Sequence, residues 1–439
     1  MRTPWPHQRD MIAHLEANQN TALLVEMRLG KSHALISAFN NVDRVLVVCP
    51  KSVMAVWREE LHRDRIGSVC LVTSSGLHDY RDTFRWTVMN YEAAMRIPEK
   101  YRERFDVVIL DEAVRIKNPQ AKVTKFFVTN FRNARRVVAS GNIAPESPLE
   151  YFSPMKFVYG KWMGCANYWQ FRKTYFSSDI QGWTWWPKNK DIRERIKSAV
   201  KSHSFILTRK QAGLANQKIY EKRYVELPKN VRALYKKMEN EFALTLPSGK
   251  EIEVQHVVAQ VSYLSQLCGG GTKDESLADH KIKELVELLT GELAKEQVVV
   301  WFRYNFEIGR VVMTLMKTKI KFDSLIGDSD IDERKSIQDQ FTKGEIRVLL
   351  IQIKVGLYGL NLSKASTAIY FSNPLSSNER VQSEDRIEHN DKSEPLLYID
   401  ILSKDTIDED IYAALKQKHR QSKFFIGEVM EQMRLRRAA

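Results

Sequence analysis

The sequence predicts an α/β protein of two lobes, each a parallel sheet flanked by helices, with a helical, aromatic-rich insertion between them. Three observations carry that reading. Short apolar runs alternate with helix-capable segments over residues 1–150, and the alternation resumes after residue 280. Gly30-Lys31-Ser32 follows the first apolar run. Asp111-Glu112 closes a later one. Polar residues gathered at the carboxyl ends of successive strands are what a parallel sheet presents to a ligand.

In the first lobe, 1–150, strands are expected over Thr21 to Val25, Val45 to Cys49, Val107 to Leu110 and Val137 to Ala139. Helices are expected over Val53 to Leu61 and Ala121 to Val128. Residues 151–280 form the expected accessory and linking region. Thirteen aromatic residues crowd Tyr151 to Trp186, which reads as a helical subdomain with an aromatic core. The alternative is that Trp185 or Trp186 stacks on a nucleic-acid base. Charged helical sequence covers Arg232 to Leu244 and Val257 to Leu267, and Gly269-Gly270-Gly271-Thr272 then reads as a hinge. The second lobe, 281–439, has expected strands at Gln297 to Phe302, Lys321 to Leu325, Arg347 to Ile351, Ala368 to Phe371 and Leu396 to Ile401.

The 439 residues are 43% hydrophobic, enough for more than one core. No apolar run approaches a membrane span, and Met1 to Trp5 has no apolar signal core, so a cytoplasmic protein is expected. Cys49, Cys70, Cys165 and Cys268 are scattered without metal or redox spacing and read as reduced core thiols. The net charge of +14 points to a polyanionic partner, with nucleic acid foremost. Lys188 to Lys210 carries eight basic against two acidic residues, and Arg434-Leu435-Arg436-Arg437 adds a basic end.

Leu23 to Ser32 has the order that a phosphate-binding loop needs: an apolar strand, Gly-Lys-Ser, then a helix from His33 to Phe39. Backbone N–H groups at the helix start cradle phosphates, the lysine reaches the outer ones, and the serine hydroxyl holds magnesium. Val25 stands where the motif's first glycine belongs. Asp111 and Glu112 repel as neighbouring charges, and a magnesium ion carrying nucleotide phosphate relieves that repulsion.

Together these residues resemble superfamily-two helicases, and among them the Snf-type DNA translocases. The resemblance covers nearly the whole chain and implies two RecA-like lobes. Asp111-Glu112-Ala113-Val114-Arg115-Ile116-Lys117-Asn118 is similar to D-E-A-H-R-I-K-N. Val25 to Ser32 resembles D-E-M-G-L-G-K-T, and Pro6-His7-Gln8 the start of the glutamine motif, which implies Gln8 on adenine. Arg28, Leu29, Gly30, Lys31 and Ser32 are then nucleotide contacts. Cys49-Pro50-Lys51-Ser52-Val53 with Trp57 resembles motif Ia, implying DNA contacts at Lys51, Ser52 and Trp57. Ser140-Gly141 with Ser147 to Glu150 resembles motif III, and Phe205 to Lys210 a segment ending in a basic pair. Lys354 to Leu362 resembles motif V, implying Lys354 on DNA and Gly359 and Asn361 on nucleotide. Gln382 to Arg386 resembles motif VI.

The resemblance implies ATP hydrolysis between lobes. Lys31 binds phosphate, Ser32 and Asp111 hold Mg2+, Glu112 orients or deprotonates water, and Arg386 stabilises the transferring phosphoryl group. It further implies translocation on duplex, forked or branched DNA, with Lys117 and Asn118 as further DNA contacts. A monomer is expected, and the aromatic segment beside the basic run nominates Trp185 and Trp186 as a DNA-contacting pin or wedge. Among family members, the chain most resembles compact phage and bacterial helicases of recombination and branch migration, in a bacterial or phage-infected cell. Five positions depart from the pattern: Arg28 for glycine, Val114 for histidine, Asn142-Ile143 for Thr-Pro, Leu357 for glycine and His389 for the second motif VI arginine. These leave an ATP-gated DNA clamp with weakened hydrolysis as one alternative, and the Asp111-Glu112-Ala113 element by itself permits a second, an RNA helicase.

Overall fold

The computed structural model describes all residues except 1, 74–82, 142–143, 145–146, 179–184, 255, 328–330, 358, 390–393, 417–428, 430–432 and 434–439. Asn142, Ile143, Trp183 and the basic end at 434–437 lie outside the described residues. The chain divides into two units, Met1–Ala215 and Asn216–Ala439.

The first unit is built on a seven-stranded, wholly parallel sheet. Its strands are β1 (Thr21–Val25), β2 (Val45–Cys49), β3 (Val69–Val72), β4 (Trp86–Asn90), β5 (Val107–Asp111), β6 (Arg135–Ser140) and β7 (Ser204–Leu207). Their order is β3-β4-β2-β5-β6-β1-β7. β1, β2, β4 and β5 are buried at every residue, because helices cover both faces of a parallel sheet. Successive side chains therefore enter opposite cores. Ala22, Leu24, Leu46 and Leu110 join one, and Leu23, Val25, Val47 and Ile109 join the other. The register sets Asp111 beside Ala139, Leu24 beside Ser140 and Val25 beside Leu207, so the polar motifs share one edge of the sheet.

The aromatic segment is core, as its simplest reading expects, but not a free-standing subdomain. Phe152, Trp162, Phe171, Tyr175 and Phe176 pack in the same cluster as Leu110 and Val138. Helices Phe152–Tyr159 and Tyr168–Tyr175 carry most of them.

The second unit carries a six-stranded parallel sheet: β8 (Lys218–Val225), β9 (Val298–Phe302), β10 (Phe322–Leu325), β11 (Val348–Gln352), β12 (Thr367–Tyr370) and β13 (Leu396–Ser403). The order is β8-β13-β12-β9-β11-β10. Both units are thus the parallel α/β lobes, of RecA-like class, that the sequence predicts. β8 is a strand that the pattern does not announce. It carries Lys218, Glu221, Lys222 and Arg223, and charge is tolerated there because β8 is an edge strand.

The expected hinge at the glycine run is corrected. Gly269, Gly270 and Gly271 are buried inside the second unit. The Leu277 and Ala278 N–H groups both donate to the Gly270 carbonyl, at 2.9 and 2.8 Å, and Arg310 donates to that of Gly269 at 3.0 Å. Glycine is needed there for close approach: a Cβ on Gly270 would overlap the Ala278 carbonyl.

Candidate active site

β1 ends at Val25, and five residues lead to helix Lys31–Ala38. The missing motif glycine has a plain reason: position 25 is still extended strand. The left-handed turns fall instead on Arg28 (φ 62°) and Gly30 (φ 75°), which N-caps the helix. The Lys31 ammonium donates to the carbonyls of Val25 (2.7 Å) and Glu26 (3.2 Å), so it lies inside its own loop. A phosphate oxygen would compete with those carbonyls for it. Gln8 is buried, its Oε1 accepts from the Trp5 N–H at 2.9 Å, and its carboxamide lies against Gly30.

Asp111 is the last residue of β5 and is buried. Burial pushes its carboxyl up. A hydrogen bond from Trp57, the charge of Lys31 and the Glu112 N–H offset only part of this. The Trp57 indole N–H donates to Asp111 Oδ2 at 2.8 Å, the Glu112 N–H to Oδ1 at 3.0 Å, and the Tyr91 hydroxyl to the Asp111 backbone carbonyl at 2.9 Å. Glu112 itself is left-handed at φ 52°, and Ser140 Oγ lies 3.5 Å from its Oε2. A non-glycine residue in that region is held by its surroundings, here the turn that starts the helix Ala113–Ile116.

Among the described residues, no group of three His, Cys, Asp or Glu side chains forms a metal cage. The donors on hand, the Asp111 carboxylate and the Ser32 hydroxyl, suit a magnesium ion that brings its remaining oxygens as phosphate and water.

In the second unit, helix Ser377–Glu384 is capped by the Ser376 hydroxyl and anchored by Arg380. Arg380 is buried, bonds Asp400 through Nη1 (2.5 Å) and Nη2 (3.0 Å) and Glu384 through Nε (2.8 Å), and lies 3.4 Å from the Tyr370 ring centroid. Lys218 reaches Glu388 at 2.6 Å and Glu384 at 3.2 Å. Arg386 is 9% exposed, with Nε donating to the Gln382 carbonyl at 3.2 Å and Nη1 to that of Leu360 at 3.3 Å. Asn361 is exposed, and its N–H donates to Gln338 at 3.0 Å. Gly359 is left-handed at φ 77°, and Gly356 packs so closely on the Trp301 indole that a Cβ would overlap it.

The SNF2-related domain model matches residues 9–270, more than half of the chain, and the helicase conserved C-terminal domain model matches 280–390. The chain belongs to the SNF2-related family. It is 24% identical to an uncharacterised ATP-dependent helicase of Mycoplasma genitalium, over 93% of this chain and 40% of that protein. It is 21% identical to the SWI/SNF-related matrix-associated actin-dependent regulator of chromatin subfamily A-like protein 1 of Xenopus tropicalis, over 94% of this chain and 44% of that one. The chain therefore spans less than half the length of these curated relatives. A solved Sulfolobus solfataricus SWI2/SNF2 ATPase core in complex with dsDNA aligns at 19% identity and TM-score 0.46, covering 99% of this chain and 96% of that chain.

On this SNF2-related chain the sequence-expected DNA contacts separate into groups. Lys51 is exposed and Ser52 half-buried, on the turn Lys51–Val53, and Lys354 is exposed on the short helix Ile353–Gly356. Trp57 is a correction. It is 1% exposed and bonded to Asp111, so it offers DNA no surface. The apolar ring sits in the core, and its one polar atom serves the carboxylate. Lys117 is engaged with Glu150 at 3.1 Å, and the Asn118 Oδ1 accepts from the Gln120 N–H at 2.9 Å. Trp186 is 39% exposed, whereas Trp185 is half-buried with the Arg172 guanidinium 4.1 Å from its ring centroid.

The departures from the SNF2-related pattern also find places. Val114 lies on the helix after Glu112, and Leu357 is buried. His389 is buried and bonded through its backbone N–H to Asn216 Oδ1 at 3.3 Å. Sequence reasoning missed Tyr91, Glu26, His33 and Asp64. Each is an ordinary residue type whose role comes from a partner far along the chain.

Proposed function

We propose that this chain is an ATP-dependent DNA translocase or helicase acting on duplex or branched DNA, of the compact phage or bacterial kind. The observation that carries the reading is the placement, at one edge of one sheet, of the Lys31 loop that follows β1 and the buried Asp111 that ends β5. Membership of the SNF2-related family, with a helicase C-terminal domain match, supports it. Magnesium, when bound, supplies charge that neutralises the phosphates. Lys31 would bind the outer phosphates, Ser32 and Asp111 would hold the metal, and Glu112 would orient or deprotonate the attacking water. Arg386, whose Nε and Nη1 donate to the Gln382 and Leu360 carbonyls, is assigned to the phosphoryl group in flight. The cations that approach DNA are Lys51 and Lys354, and because they meet phosphate, binding is sequence-independent and salt-sensitive.

The test is ATP turnover with single-stranded, duplex, forked and four-way DNA, and with duplex RNA as competitor. DNA-stimulated turnover that Lys31→Ala abolishes is the expected result. Unchanged turnover in Lys31→Ala overturns the assignment, and stronger stimulation by RNA moves the substrate to RNA. A second reading, a DNA clamp with weakened hydrolysis, rests on the buried His389 at a position of expected arginine. ATP-dependent retention of forked DNA without phosphate release would select it.

A further inference from the structure

Helix Met54–Arg63 is fastened at both ends to the nucleotide machinery. Near its start, the Trp57 indole N–H donates to Asp111 Oδ2 at 2.8 Å, with both groups buried. At its end, the Asp64 carboxylate meets His33 Nδ1 at 2.9 Å and also accepts from Arg2. His33 directly follows Ser32 in the helix that opens at the phosphate loop. Burial alone would raise the Asp64 carboxyl, but hydrogen bonds from Arg2 and His33 outweigh it and hold it well below the usual range. The helix is continuous with the turn Lys51–Val53, whose C-cap is Met54. Lys51 on that turn is exposed.

We propose that Trp57 is a positioning residue for the magnesium carboxylate, and that helix Met54–Arg63 is a strut linking the polyanion contact at Lys51 and Ser52 to Asp111 and the phosphate-loop helix. The inference rests on the proposed DNA reading for what Lys51 and Ser52 touch. The Trp57–Asp111 bond itself does not depend on it. The Glu112 N–H holds Oδ1 of this buried carboxylate and the Trp57 indole N–H holds Oδ2, so where the indole sits sets the orientation of the second oxygen. A displacement of the turn at Lys51 moves the helix as a body, since a packed helix shifts more readily than it bends. Linkage then requires that DNA and magnesium-nucleotide change each other's affinity by the same factor.

The experiment uses the full chain and reads binding, not turnover. Affinity for a fluorescent, non-hydrolysed ATP analogue is measured with and without a duplex oligonucleotide, in magnesium and in EDTA. The wild-type protein is expected to show DNA-dependent tightening by a factor in the range of roughly 5–150 in magnesium, and little in EDTA. Trp57→Phe keeps an aromatic ring in the core but removes the N–H. It is expected to bring that factor to about one, without loss of the cooperative thermal transition. A folded Trp57→Phe protein that keeps the full magnesium-dependent factor overturns the proposal. Lys51→Ala in the wild-type background provides the second arm. The coupling must fall with it too, and coupling that survives Lys51→Ala sinks the strut even where Trp57→Phe fails to fold. A wild-type protein whose nucleotide affinity ignores DNA overturns the strut. In that case, unchanged magnesium-dependent nucleotide affinity in Trp57→Phe would also remove Trp57 as a positioning residue. The DNA reading fails separately, by absence of oligonucleotide binding.

Discussion

The Glu26 carboxylate accepts a hydrogen bond from the Arg209 backbone N–H at 2.7 Å, across 183 residues of chain. Beside it, the Glu26 N–H donates to the Leu207 carbonyl at 3.0 Å. The first residue after β1 is thus held by the segment that follows β7, the last strand of its sheet. The phosphate loop takes its shape from a strand that arrives far later in the chain. The basic pair Arg209-Lys210 takes part in this through its backbone, while the Arg209 guanidinium donates to the Leu214 carbonyl at 2.6 Å.

Removing that acceptor should loosen the loop. Glu26→Ala is expected to weaken nucleotide binding about tenfold, since hydrogen bonds to a charged acceptor contribute roughly 1.5–3 kcal/mol. Glu26→Gln keeps a carbonyl oxygen for the Arg209 N–H and should lose much less. Titration with a fluorescent nucleotide checks both, and equal losses would show that the charge, not the bond, matters.

Arg28 sits at φ 62°, where the family pattern has glycine. The left-handed region costs a residue with a Cβ roughly 1–2 kcal/mol, while glycine gives back part of that as unfolded-state entropy. Arg28→Gly is therefore expected to raise stability in denaturant by about 0.5–1 kcal/mol. It should also lower nucleotide affinity if the guanidinium meets phosphate. A gain in stability with no loss of binding would leave the arginine without a nucleotide role.

Glu307 is buried in the second unit, where Ser372 donates to its Oε2. Burial pushes its carboxyl up to about 7 from 4.5, with the Ser372 hydrogen bond opposing. The native state then holds this proton more tightly than the unfolded chain does. Stability from this group is full below about pH 4.5 and is lost as pH rises through about 7. Glu307→Gln should flatten stability between pH 5 and 8, windows of about that width. It should also be more stable than wild type at pH 8 by on the order of 2–3 kcal/mol. Chemical denaturation across that range is the check, and a variant with the wild-type slope refutes the assignment.

Arg380 is the hub of a buried charge network beneath motif VI, with Asp400, Glu384 and the Tyr370 ring as partners. Arg380→Met leaves the buried Asp400 without its cation and Glu384 with Lys218 alone, at a cost of about 3–5 kcal/mol. The second unit should melt at markedly lower temperature in circular dichroism. Asp400→Asn in the same background should recover part of the loss, because it removes one stranded charge.

The sequence by itself determined the two parallel α/β lobes and the strands that carry the motifs. Continuous apolar runs such as Val107 to Leu110 leave a doubly covered strand as the only economical structure. It also determined which groups are chemically suited to phosphate and metal, because Gly30-Lys31-Ser32 and Asp111-Glu112 are local patterns. β8 and β7 escaped that reading, since an edge strand need not be apolar and a four-residue strand has too little period to see. Only the tertiary structure decided that Trp57 serves Asp111 rather than DNA, that Arg209 braces Glu26, and that the glycine run is packed. For Trp57 and Glu26 the deciding partner is an ordinary residue distant in sequence, and for the glycine run it is the returning backbone at Leu277 and Ala278 together with Arg310. A hydrogen bond's worth there comes from burial, which exists only once the sheet has closed over it.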